Sequence, residues 1–163
     1  MSNTDPSRSE RQRILAAVEG YADLGLHDMA WEQFATLNAA DRNRPEVHEM
    51  ELCLFIRERR WDEAIPLGLR LCEAPGERPA VFIHTAYALH ESRRTEEART
   101  LLTRAPVSLQ TDPLFHYNMA CYLAVLGQPR DAEPLLKKAL KMDEKLRRYA
   151  RTDPDLKDLR SIL

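Results

Sequence analysis

Little in this chain speaks for chemistry at a fixed centre. Its 163 residues contain five glycines, scattered singly, so no glycine-rich loop can wrap a phosphate. The five histidines, His27, His48, His84, His90 and His116, never stand three or four apart on one helix. That spacing is what would aim two imidazoles at one ion, so a zinc site could arise only by convergence of distant residues. Cys53, Cys72 and Cys121 form no Cys-x-x-Cys pair, and their odd number argues against a disulfide framework. Free, packed thiols suit a reducing compartment, and a cytoplasmic location is expected. No apolar run approaches the length of a membrane span, and the first thirteen residues lack the apolar stretch of a signal peptide. The net charge of −2 supplies no global field toward nucleic acid or anionic lipid. No catalytic residue, metal ligand set or cofactor is expected, and the chain is read as a non-enzyme.

What the chain does have is repetition. Ala30, Ala64, Ala98 and Ala132 recur every 34 residues, and Pro45, Pro79 and Pro113 keep the same interval. Tyr21, Phe55, Leu89 and Leu123 form a third column, all large and apolar. Within each period the pattern is helical: Phe115, Met119, Tyr122, Leu123 and Leu126 fall three and four apart, and Gly127 stops the run. A second helix follows, with Ala132, Leu135, Leu136, Ala139 and Leu140 on one face. The first unit turns at Gly25, the second and third at Arg59-Arg60 and Arg93-Arg94. The prolines open helices, where a missing N–H costs little. Helices are predicted over 8–24, 27–40, 45–58, 61–74, 79–92, 95–105, 113–126 and 129–142, with a short last one near 154–162. Pro66 and Pro134 sit early in second helices and are expected to bend them slightly.

A 34-residue period of paired helices with small residues at the crossings resembles the tetratricopeptide repeat. The resemblance covers residues 11 to 150 and is strongest in the fourth unit, at Tyr117-Asn118-Met119-Ala120, Gly127, Ala132, Leu136 and Ala139. Units one and two depart from the family pattern, with Val18, Leu52, Leu37 and Leu71 where small residues are preferred. The resemblance implies an all-α, right-handed solenoid of stacked antiparallel helix pairs. Its divisions are a loose tail over 1–10, repeats over 11–44, 45–78, 79–112 and 113–146, and a capping helix over 147–163. The last segment is similar to those closing many bacterial arrays of this family. Asp153 is placed to cap that helix with Pro154 at its first position, and Leu156 and Leu159 to cover the fourth repeat.

Arrays of this family bind other proteins in a concave groove lined by the first helix of each pair. Carried over by position, the groove residues are Glu19, Glu46, Glu49, Cys53 and Ile56 in the first two repeats. Ile83, Tyr87, His90, Leu114, Tyr117 and Cys121 follow in the third and fourth. The resemblance thus implies an adaptor or scaffold for a peptide or helix of a partner protein. The alternatives are a client-binding chaperone or a self-associating repeat protein, including a homodimer, ahead of a small-ligand binder. The first half, with Asp23 added, is acidic; a basic end of the partner would face Glu46 and Glu49, and its apolar side chains Tyr87 and Tyr117. The apolar second half would otherwise be filled by the chain's own cap or by a second copy. Asn118 matches one member of the family's carboxylate clamp, but the accompanying Lys and Arg are missing. The basic run Lys137, Lys138, Lys141, Lys145, Arg147, Arg148 and Arg151 lacks interleaved aromatics except Tyr149. It reads as cations near a helix C-terminus, and no nucleic acid or membrane partner is expected.

Overall fold

The computed structural model describes residues 6–162, and no strand occurs among them. Helices α1 (Pro6–Asp23) and α2 (His27–Ala35) form the first pair, followed by a single turn α3 (Ala39–Arg42). The next pairs are α4 (Pro45–Arg57) with α5 (Trp61–Glu73), α6 (Pro79–Glu91) with α7 (Thr95–Thr103), and α8 (Pro113–Val125) with α9 (Pro129–Met142). A 3₁₀ turn, Val107–Thr111, precedes α8, and the chain ends in α10 (Leu146–Ala150) and a 3₁₀ segment, Pro154–Ile162. Pro45, Pro79, Pro113 and Pro129 each stand at a helix start. There the absent N–H would have had no partner within the helix. Helices α5 and α9 continue through Pro66 and Pro134.

The hairpin turns explain the repeat most directly. Gly25, Arg59, Arg93 and Gly127 lie 34 residues apart and all adopt left-handed backbone, with φ of 72°, 58°, 65° and 76°. The following amides reach back across the turn: Leu26 to the Tyr21 carbonyl at 2.9 Å, Arg60 to Phe55 at 2.8 Å, Arg94 to Leu89 at 2.9 Å, and Gln128 to Leu123 at 2.8 Å. This is the Schellman helix ending, which satisfies carbonyls that a terminating helix would leave bare. The large apolar column of the sequence therefore marks the residues whose carbonyls close each first helix. Two turns use glycine and two use arginine, which is why no uniform glycine signal was present.

The alanine column marks where helices approach. Ala30, Ala64, Ala98 and Ala132 are all fully buried, at 0% exposure. A side chain larger than a methyl group there would hold the helices apart.

The chain divides into two compact units, Met1–Leu71 and Cys72–Leu163. In the first, Ile14, Val18, Ala22, Ala30, Phe34, Leu37, Val47 and Leu54 form the core. Trp31 packs edge-on against Phe34 and tilted against Phe55, donates its indole N–H to Glu58, and lies beneath the Arg60 guanidinium. Arg11 and Asp41, both buried, form an ion pair at 2.5 Å. Asp41 also receives Arg44 at 3.0 Å and the Asn38 amide at 2.8 Å. Burial works to raise the Asp41 pKa, but the bonds from Arg11, Asn38 and Arg44 prevail and hold it below its ordinary value. In the second unit Val81, Leu89, Leu102, Leu109, Tyr122, Leu136 and Leu156 are fully enclosed.

Several boundaries differ from the sequence reading. Residues 6–10, expected to be part of a loose tail, are the first turns of α1, and residues 1–5 of that tail lie outside the described residues. The helix expected over 27–40 ends at Ala35, because Asn38 caps a new turn through the Asp41 amide at 2.8 Å. The final segment closes with 3₁₀ rather than α geometry.

Candidate functional site

In the first unit, α1 and α4 carry the groove positions. Gln12, Leu15, Glu19, Glu46 and Met50, with Arg8 and Arg11, line an open depression of about 450 Å³. Glu19 and Glu46 are exposed, while Glu49, Cys53 and Ile56 are half-buried. Burial pushes the Cys53 thiol above its ordinary pKa; Arg57 opposes this, and the nearby Glu49 and Glu19 add to it. The face is less acidic than its sequence suggests. Arg11 reaches Glu46 at 3.0 Å, and Arg57 reaches Asp23 at 2.6 Å. Of the four carboxylates counted along this face, Asp23 and Glu46 thus already face a guanidinium, and Glu46 is one of the two expected to meet a basic ligand. In the sequence a lone arginine early in a helix looks like surface charge, and nothing local ties Arg11 to Asp41, thirty residues away.

The second unit arranges its groove positions differently. Ile83, Tyr117 and Cys121 are buried and His90 is half-buried, whereas Tyr87 and Leu114 remain 38% and 43% exposed. What covers Tyr117, Cys121 and His90 is the chain's own C-terminal segment. The Tyr117 hydroxyl donates to Asp153 Oδ2 at 2.7 Å, and the Cys121 thiol approaches the same oxygen at 3.7 Å. His90 Nε2 lies 2.9 Å from Asp155 Oδ2, and its Nδ1 lies 3.0 Å from the Thr95 hydroxyl. Nε2 is thus placed to donate to a carboxylate oxygen, which has no hydrogen to offer, and Nδ1 faces the Thr95 hydroxyl. The His90 ring also stacks on Tyr122, centroids 4.9 Å apart. Asp153 caps its own segment as expected, accepting the Asp155 amide at 3.0 Å. Leu156 and Leu159 are buried, at 0% and 4% exposure.

The chemistry of this cluster is that of a carboxylate dock. Burial, with the two aspartates adding to it, pushes Tyr117 and Cys121 well above their ordinary pKa values, so both keep their protons and remain donors. Cys72 is likewise pushed up, to about 11, chiefly by burial. All three cysteines are free thiols whose surroundings suppress the thiolate, the reverse of what an activated nucleophile requires. Cys121, Asp153 and Asp155 place a sulfur and two carboxylate oxygens within 4.8 Å of one another, a set that could hold a divalent cation. Their separation in sequence is the distant convergence that no local spacing reveals. The role of Asp155 was not legible in the sequence, since nothing there connects it to His90, sixty-five residues earlier.

Lys137, Lys138, Lys141, Lys145, Arg148 and Arg151 are exposed along α9 and α10, with Lys137 paired to Glu133 at 2.6 Å. Among the described residues no helix is long and apolar enough to cross a membrane.

No family model matches the chain, and no curated protein matches it. Solved structures do. It aligns with MamA AMB-1 at 23% identity and a TM-score of 0.66, over 81% of this chain and 78% of that one. MamA MSR-1 aligns at 23% identity and 0.64, over 81% and 76%. At this level of identity the likeness establishes a shared all-α, helical-repeat fold.

Proposed function

We propose that the chain is a protein-binding module of the tetratricopeptide kind, an adaptor or scaffold that holds a peptide or helix of a partner. The observation that carries this reading is the open depression on α1 and α4, lined by side chains that the repeat pattern assigns to a groove. Its lining offers both charge signs, from Arg8, Glu19 and Glu46. The suppressed thiolates add weight, because a binding surface needs shape and charge rather than a nucleophile. The likeness of fold to MamA is consistent with a helix-repeat scaffold. Three free thiols suit a reducing, cytoplasmic setting.

The partner's basic end is assigned to the acidic positions of this face, with Glu19 on α1 and Glu49 on α4. The test is affinity capture with the wild-type chain, followed by capture of the recovered partner with Glu19→Lys/Glu49→Lys. Partner recovery is expected to fall by at least about tenfold, as like-charge contacts replace attraction. Equal recovery would remove the first-unit face from consideration.

A further inference from the structure

We infer that the inner face of Cys72–Leu163 is a reader of one kind of segment, two acidic residues spaced by one followed by two leucines, and that Asp153–Leu159 of this chain occupies it in place of a partner. The inference rests on the proposed protein-binding role and names the partner chemistry and its regulation. The occupant on the page defines the ligand. Four of its side chains turn inward: Asp153, Asp155, Leu156 and Leu159. Pro154, Lys157, Asp158 and Arg160 are exposed. Inward and outward positions therefore read as Asp-x-Asp-Leu-x-x-Leu.

The receiving face matches that pattern by type of group. Tyr117 Oη and Cys121 Sγ meet Asp153, and His90 Nε2 meets Asp155. Each of the three is a donor, and a pair of carboxylates is what such a surface selects. An amide or hydroxyl ligand would accept too, but without charge, and charge-assisted bonds are about twice as strong as neutral ones. His90 is oriented in turn by Thr95 and by its stack on Tyr122, so the donor is set before any ligand arrives. The leucine pair supplies apolar burial, and no bond formed by the segment is covalent.

The occupant is also built to leave. Its 3₁₀ geometry makes poorer internal hydrogen bonds than an α-helix. It is preceded by Arg151 and Thr152, both exposed. A tethered segment competes at an effective concentration on the order of millimolar. A partner segment must therefore exceed that competition, and loosening the tether's grip should reveal the site.

The experiment uses a fluorescein-labelled peptide with the sequence of residues 152–162, titrated into the full-length chain and followed by anisotropy. Wild type is compared with Asp153→Ala/Asp155→Ala, which weakens the tethered occupant and leaves the receiving side chains intact. The variant should bind the peptide at least about tenfold tighter than wild type. Adding His90→Gln/Tyr117→Phe should erase that gain, and a peptide with both aspartates replaced by asparagine should bind at least about tenfold more weakly. Equal binding by wild type and variant, or a gain indifferent to His90 and Tyr117, overturns the inference. Should circular dichroism show the variant unfolded, the reading moves to wild type: amide exchange in residues 153–162 must rise on adding millimolar peptide, and unchanged exchange overturns the inference. A partner that still depends on Glu19 and Glu49 while these peptide tests fail would leave the adaptor role standing and remove only this reader.

Discussion

The two units build the same face in opposite states. On α1 and α4 Gln12, Glu19 and Glu46 open onto solvent, and the buried ion pair there ties Arg11, in the wall of the depression, to Asp41 of the scaffold. On α6 and α8 His90, Tyr117 and Cys121 are covered while Tyr87 and Leu114 stay exposed, and the polar bonds run from the groove itself to the covering segment. One face spends its arginines on its own carboxylates; the other receives carboxylates from elsewhere in the chain. The lesson is that a groove position is defined by the repeat, but its availability is decided by whatever else the chain can bring to it.

The sharpest way to break this contrast is to remove the covering segment's apolar hold. Leu156→Ala should cost about 2–5 kcal/mol, the usual range for a fully buried leucine. Hydrogen exchange should quicken in α8 and α9 while α1 and α2 exchange as before; uniform quickening would refute the local hold.

Acid should act on the other side of the comparison. Asp41 has a depressed folded-state pKa, so its contribution is complete above its unfolded value, about 4, and disappears as pH falls through the lower folded value. Both tryptophans, Trp31 and Trp61, lie in the first unit, so their fluorescence reports on it alone. Melts followed by that signal should weaken below about pH 4 in wild type. Asp41→Asn should start lower at neutral pH and lose this dependence. An unchanged acid profile in the variant would detach Asp41 from unit stability.

A smaller effect belongs to the hydroxyl that meets Asp153. Tyr117→Phe should destabilise the second unit by about 1 kcal/mol, one net hydrogen bond, read by urea unfolding monitored by circular dichroism. A neutral result would show that the Cys121 thiol and the Asp155 amide hold Asp153 without the tyrosine. Smallest is a gain: Arg93→Gly relieves left-handed backbone at a turn and should stabilise by about 0.5–1 kcal/mol. Loss of stability on that change would mean the arginine side chain contributes more than the backbone strain removes.

The helix pairs were legible because their signals are local. A period of 34, helix-opening prolines and wedged alanines each act within a few residues of where they stand, and the four alanines are buried as the repeat requires. The capping role of Asp153 and the burial of Leu156 and Leu159 were legible for the same reason. What was not legible is long-range. The reach of Asp153 to Tyr117 and of Asp155 to His90 spans 36 and 65 residues, and the Arg11 bond to Asp41 spans 30. Charge counting along the groove also overstated its acidity, because pairing with Arg11 and Arg57 depends on side-chain reach across helices.

The four left-handed turns carry a consequence for how such a chain can change. Because Arg59 and Arg93 hold the same backbone as Gly25 and Gly127, the joint is defined by its amide-to-carbonyl bonds and not by one residue type. Any of these joints is then a natural splice point: a 34-residue module cut and rejoined there would meet identical backbone bonding on both sides. Length in such a chain can be gained or lost in whole modules with each seam already made.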